Sequence, residues 1–395
     1  MSKKSEFSKA LQIGTVCVSS YMVSYYMRNL LSVSSPAMLQ SNLFTKEFLG
    51  TLSSVYMLTY AVGQLFNGVI GDIVKPKWMI TGGMILCGLA SICFSFITLP
   101  LIQIALFAMI GFSLSMLRGP LVKTISENTQ PDHARVICTF FSFVGFSGPL
   151  IASLLSMMFD WRGTFLVGGI TAIIIGALVY CIFSSFERKG RISYSVSQKS
   201  DGFKNIFRIF TLKHFVFYVL VGAIAEISAA SISFWIPTYF VETLNLSETM
   251  AKTIYSSMAL IKGVVPFLTL FLFHAFKQKD IPIVRYSYLL AIILFFGMKW
   301  SVDNAYINIA CLLLAQIAIG ISSSLLWSIY IPAQGKSGMV STVNGFLDFS
   351  GYLFASGANI IFANVIGNLG WNGVINLWIL MPALGLLLAL FTKQE

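Results

Sequence analysis

Apolar runs of about 20 residues recur along almost the whole chain, each long enough to cross the hydrocarbon core of a bilayer as a helix. Clusters of charge, proline, glycine and asparagine break them into twelve, near residues 9–34, 48–71, 78–98, 101–124, 135–158, 163–186, 214–241, 250–276, 281–299, 304–331, 338–364 and 370–391. A polar stretch from Glu187 to Lys213 separates the sixth run from the seventh and carries seven Lys and Arg against two acids. The pattern predicts an all-α membrane protein of twelve transmembrane helices in two six-helix bundles. The first bundle is expected over 1–186, a basic cytoplasmic linker over 187–213, and the second bundle over 214–395. The N-terminus, MSKKSEFSK, is basic, but no small-residue cleavage site follows the first run, which reads as a retained helix and not a signal peptide.

Composition narrows the class further. Of 395 residues, 56% are hydrophobic and 10% charged, where a soluble domain carries roughly 25% charged. So few charges cannot coat a water-facing surface, which excludes a soluble enzyme, a nucleic-acid-binding domain and a secreted scaffold. The net charge of +11 follows from the collection of Lys and Arg in cytoplasmic loops. With both termini inside, 19 of the 26 Lys and Arg fall in inner segments and four in outer loops, and Arg28, Arg118 and Lys262 fall within spans. Both termini are therefore expected in the cytoplasm, and the short loops suit a bacterial inner membrane. The six cysteines are scattered through apolar segments and read as small core hydrophobes. The three histidines sit at span ends. No nucleophile–base pair, metal-ligand cluster or phosphate-cradling glycine loop occurs, so neither an enzyme nor a bound cofactor or metal is expected.

A charge at the centre of a membrane helix costs about 2.5–3.5 kcal/mol on insertion scales, which makes each one a site hypothesis. Five stand within spans: Arg28, Arg118, Glu226, Lys262 and Asp348. Arg28 lies on a polar stripe of the first span with Tyr21, Ser24, Tyr25, Ser32 and Ser35 at helical spacing. It reads as a cation presented to an anionic substrate; the competing reading pairs it with backbone carbonyls or with Asp348. Arg118 stands beside Gly119-Pro120, where a kink is expected. It either shares the substrate with Arg28 or snorkels toward the cytoplasmic surface as a gate. Asp348 shares a stripe with Asn344 and Tyr352 at i−4 and i+4. Lys262 has two candidate acid partners, Glu226 and Asp348, and satisfies only part of both. One carboxylate is then left to carry a proton, with Glu226 slightly favoured over Asp348.

Between the second and third spans stands Gly68-Val69-Ile70-Gly71-Asp72, followed by Lys75 and Lys77. A Gly, an Asp four residues on and basic residues beyond resemble the loop motif of the major facilitator superfamily. That resemblance implies two six-helix bundles with a mid-membrane site and alternating access by rocking. In the motif, Gly68 allows close helix approach while Asp72 caps a neighbouring helix start or pairs with a cation. The loop from His274 to Asp280 lacks the matching pattern, so any such latch is one-sided. Tyr25-Tyr26-Met27-Arg28-Asn29 with Pro36, Trp235-Ile236-Pro237-Thr238-Tyr239, and Gly345-Phe346 through Gly370-Trp371 resemble the organophosphate:phosphate antiporters. The related anion:cation symporters share part of the first-helix pattern. By that resemblance Arg28 matches the first of two phosphate-clamping arginines. The second should stand where this chain has Ala229, and a frequent fifth-helix His falls near Val144.

These residues predict a secondary transporter of a small organic anion, a phosphate ester or carboxylate, working by antiport or proton-coupled symport. Arg28 binds the anion in this reading, with Tyr25, Tyr21 and Tyr352 adding hydrogen bonds. Arg118 or Lys262 replaces the missing clamp arginine, Glu226 or Asp348 couples a proton or guards the empty site, and Gly68, Asp72, Lys75 and Lys77 gate. The expected partners are the anion, a proton or counter-anion and the lipid bilayer, with no nucleic acid, and the chain is expected to be a monomer. The alternative is multidrug or lipophilic-cation efflux by proton antiport, for which Gly145-x-x-Gly148-Pro149 is a faint signal. A transporter-derived sensor without flux is a third class.

Overall fold

The computed structural model describes residues 3–41, 43–194 and 205–392. Helices α1 (Lys3–Gln40), α2 (Lys46–Ile73), α3 (Pro76–Phe96), α4 (Pro100–Ser115), α5 (Arg118–Asn128), α6 (Pro131–Met158) and α7 (Trp161–Arg188) carry the first six apolar runs. A short α8 (Asn205–Arg208) leads to α9 (Phe215–Glu242), α10 (Glu248–Ala275), α11 (Asp280–Trp300), α12 (Ala305–Leu325), α13 (Ile331–Ala333) and α14 (Val340–Phe391). Of the expected linker, residues 195–204 lie outside the described chain.

The breaks between helices have local causes. Pro76, Pro100 and Pro131 open α3, α4 and α6, at positions where the missing N–H has no partner to lose. Thr45, Asp160, Ser247 and Asn304 cap α2, α7, α10 and α12 by accepting from the backbone N–H three residues on. The fourth span is interrupted at Met116 and Leu117, between α4 and α5. Pro120 cannot donate to the Met116 carbonyl, so the helix restarts at Arg118 with the proline inside its first turn. A π turn at Leu326–Tyr330 precedes Pro332, which likewise denies Ser328 a donor. Within α14, Gly370 has φ 62° and ψ −164°, a backbone that only glycine adopts freely, and it separates the eleventh span from the twelfth.

Among the described residues, eight helical stretches are long and apolar enough to cross a membrane on their own. Helices α1 and α2 fall short of that apolarity because tyrosines, serines and amides run along them. A stripe of that kind needs protein or water beside it.

By compactness the chain forms two units: Met1–Ile209 with Ile331–Phe349, and Phe210–Tyr330 with Ser350–Glu395. In the first, α3 and α7 touch through Gly88 and Gly169, where a Cβ on either would stand 2.6 Å from the other's carbonyl oxygen. Phe44, Phe94, Phe107, Trp161 and Phe165 pack edge-to-face beside them. In the second, the fully buried Trp378 stacks on Phe295 and donates its indole N–H to Ser231 Oγ at 3.1 Å. There Tyr239 donates to Asn308 Oδ1 at 3.1 Å, and Asn308 Nδ2 donates to the Met298 carbonyl at 2.7 Å. Both polar tips inside that core thus have partners, as burial demands.

Candidate functional site

In the first unit the polar stripe of α1 faces protein. Tyr21 is buried, and its ring stacks on Phe141 of α6 at 4.5 Å and meets Tyr25 edge-on at 5.1 Å. Tyr25 sits in a notch cut by Gly145 and Gly148 of α6. A Cβ on Gly148 would collide with Tyr25 Cβ, and one on Gly145 would rest 3.4 Å from the ring. The glycine spacing that suggested an efflux motif therefore makes room for a candidate site residue. Gly148→Val is expected to force α1 and α6 apart at a cost of about 1–3 kcal/mol. Gly145→Ala should be nearly neutral. Melting temperatures of the two variants check this contrast.

Arg28 lies one turn beyond Tyr25. Its guanidinium carbon stands 5.9 Å from the Tyr25 ring centroid and 5.1 Å from that of Tyr60 in α2, within cation–π range. Tyr60 stacks on Tyr56 at 5.9 Å. Arg28 also lines a cavity of about 460 Å³, whose wall includes Ser32, Ser35, Ser53, Tyr56 and Phe107. Tyr60 was not among the residues expected here, although Tyr56, Tyr60, Gln64, Gly68 and Asp72 form an i+4 ladder that carries the signal.

Arg118 opens α5 and turns inward, with 14% of its side chain exposed. It does not snorkel to the surface. Its Nη1 donates to both oxygens of Asp348 in α14, at 3.1 and 3.4 Å, and its guanidinium lies 6.0 Å from the Tyr21 ring. Asn344, one turn before Asp348, donates to the same carboxylate at 3.2 Å. Asp348 is therefore bound by Arg118 of the fourth span, a partner beyond the two weighed from sequence, Lys262 and Arg28, and the break at Met116–Leu117 sets Arg118 at the start of a new helix. Arg28 also acts electrostatically on Asp348. Two arginines thus flank the Tyr21–Tyr25 pair, one reaching each ring. Ala229, at the position of the absent clamp arginine, is exposed, and Val144 is buried.

The loop motif divides its work between two neighbours. Asp72 accepts from the backbone N–H of Ser341 at 3.0 Å and of Thr342 at 2.8 Å, and from the Thr342 hydroxyl at 2.6 Å. It therefore caps the start of α14, where N–H groups lack helical partners and a negative charge suits the helix dipole. Lys123, one of the 19 cations assigned to inner segments from its place at the end of the fourth apolar run, is fully buried. Its ammonium donates to the carbonyls of Gly71 and Asp72 at 3.3 and 2.8 Å and stands 3.8 Å from Asp72 Oδ1. Gly68 lies against α14 as well: a Cβ there would stand 2.9 Å from the Ser341 carbonyl oxygen and 3.1 Å from Gly345 Cα. Lys75 and Lys77 turn the other way, to Glu187 at the end of α7, at 3.8 and 2.6 Å.

Three expected residues belong to the second unit. Glu226 in α9 and Tyr352 in α14 are half-buried within it. Glu226 packs against Gly351, where an added Cβ would stand 2.9 Å from Glu226 Cγ. Lys262 lies in α10, and its side chain is outside the described residues.

Serial apolar helices around a buried cluster of arginines, tyrosines and a carboxylate define a multi-pass membrane protein of the transporter class. The Major Facilitator Superfamily model matches residues 17–358, and the chain belongs to that family. It is 24% identical over 395 residues to "Sugar phosphate exchanger 3" of Mus musculus, with 87% of this chain and 79% of that protein covered. It is also 24% identical over 165 residues to "Membrane sensor protein UhpC" of Salmonella typhimurium, which covers 41% of this chain and 37% of that one. Among solved structures, the E. coli fucose:proton symporter FucP superposes with a TM-score of 0.76 at 12% identity, covering 98% of this chain and 100% of that one. That likeness is one of fold. The sequence relatives match the organophosphate:phosphate antiporter branch that the first-helix motif resembles.

Proposed function

We propose that the protein is a secondary active transporter of a small organic anion, a phosphate ester before a carboxylate, exchanged against a counter-anion by alternating access. The observation that carries this reading is the pair of arginines about the Tyr21–Tyr25 rings. Arg28 lines the cavity, and Arg118 is buried against Asp348. Charges kept inside a membrane protein mark functional sites, and two of those gathered here are cations. Guanidinium groups suit phosphate because their planar donors match its oxygens. The relatives named as sugar phosphate exchangers support the same chemistry. We further place both termini in the cytoplasm from the Lys/Arg bias, and assign Glu226 as the candidate proton-coupling acid. The substrate-side contributions of Tyr352 and Lys262 belong to the same proposal.

A sensor that binds the anion without moving it is the second reading, favoured by the match to a protein named as a membrane sensor. A thermal-shift panel on the intact protein in detergent tests binding. The panel holds inorganic phosphate, hexose 6-phosphate, mono- and dicarboxylates and lipophilic cations. A ligand at 100 times its dissociation constant adds about 2.7 kcal/mol. Stabilisation by phosphate compounds supports the reading, and stabilisation by lipophilic cations alone returns the protein to the efflux class. Uptake into proteoliposomes then separates carrier from sensor.

A further inference from the structure

Asp348 holds Arg118 in a way that a structural ion pair does not require. Both carboxylate oxygens meet the single nitrogen Nη1, at 3.1 and 3.4 Å. The stronger arrangement uses two nitrogens in a fork. The start of α14 also has other anchors: the Asp72 cap on Ser341 and Thr342 and the close approach of Gly68 to Gly345. Residues 340–349 would thus remain attached to the first unit without the Arg118–Asp348 bond. That bond does serve an empty site. A guanidinium with 14% of its side chain exposed, inside a membrane helix, is costly without a counter-charge.

We propose that Asp348 is a resident anion that occupies Arg118 while the site is empty, and that the incoming substrate anion displaces it. The inference rests on the anion-carrier reading and adds to it a determinant of affinity. Arg28, at the cavity wall, meets the anion first. The anion then exchanges with the carboxylate on Arg118, between the Tyr21 ring and Asn344. No bond to carbon, oxygen or phosphorus changes; one charge-assisted contact replaces another. In the empty site Asn344 Nδ2 steadies the carboxylate in its place on Arg118, and the displaced carboxylate gives up that hydrogen bond as well. The apparent dissociation constant then exceeds the intrinsic one by the reciprocal of the fraction of time Arg118 is available.

The test compares wild type, Asp348→Asn, Asn344→Ala and Arg118→Ala, all as full chains in detergent, with inorganic phosphate and hexose 6-phosphate as probes. Removing the competitor should tighten binding roughly tenfold in Asp348→Asn if Arg118 is occupied about nine-tenths of the time. In proteoliposomes KM and kcat should fall together, because a tightly held anion leaves slowly. Asn344→Ala removes only the hydrogen bond that steadies the carboxylate and keeps every charge. It should tighten binding by about two- to threefold, and it keeps the proposal testable if Asp348→Asn fails to fold. Arg118→Ala should lose binding. Unchanged or weaker binding by both Asp348→Asn and Asn344→Ala, in folded protein and with wild type binding phosphate, overturns the displacement and leaves the carrier reading standing. Absence of anion binding in wild type and every variant overturns both.

Discussion

Replacing Asp72 with alanine is expected to cost the folded protein about 3–5 kcal/mol, the usual effect of removing one partner from a buried charge pair. The substitution takes the carboxylate from the Lys123 ammonium, fully buried, and leaves it on the carbonyls of residues 71 and 72. It also strips the backbone N–H groups of Ser341 and Thr342 of their acceptors. Those are first-turn donors of α14, with no helical partner to fall back on. Asp72→Asn retains an acceptor and loses the charge, so it should fall between wild type and alanine. Unfolding in detergent, followed by tryptophan fluorescence, reads the effect as a lower melting temperature and a lower yield of folded protein. An unchanged melting temperature for the alanine variant would show that the cap and the lysine contact contribute nothing.

Arg28→Ala is the second large effect, and its signature is the opposite. Arg28 is half-buried at a cavity wall and leans on two tyrosine rings, contacts that contribute about 0.5–2 kcal/mol to the fold. Truncating a hydrogen-bonded cation that faces a bound anion costs about 2–5 kcal/mol of binding, which is roughly 30-fold or more in dissociation constant. The variant is therefore expected to fold nearly as well as wild type and to lose the thermal stabilisation that phosphate compounds give. Arg28→Lys should recover part of the binding, since an ammonium supplies the charge without the planar fork. Retained stabilisation in the alanine variant would remove Arg28 from the site.

The first-span stripe was legible in the sequence because helical periodicity sets residues at i, i+4 and i+7 on one face. Tyr21, Tyr25 and Arg28 do share a face, and Asn344 and Asp348 likewise. The loop motif was legible because a glycine and an aspartate four apart at a helix end have few other uses. The bond from Arg118 to Asp348 was not. It joins positions 230 apart, and periodicity within one helix cannot tell which charge of another helix it will meet. The burial of Lys123 was missed for a related reason. A lysine near a span end reads as a loop cation unless the helix ending beside it, here α2, is known to leave its last carbonyls without donors. Tyr60 lay on a visible ladder, but a tyrosine in a membrane helix carries no charge to single it out. Gly145 and Gly148 read as a faint efflux signal, and the bulk they make room for, Tyr25, is on another helix.

The central claim is that two arginines about the Tyr21–Tyr25 pair move an anion across the membrane. Counterflow tests it most directly, with the full chain in proteoliposomes loaded with inorganic phosphate and labelled hexose 6-phosphate outside. Wild type should accumulate label only in loaded vesicles, while Arg28→Ala and Arg118→Ala should remain at the level of empty liposomes. Accumulation by the arginine variants equal to wild type would contradict the claim.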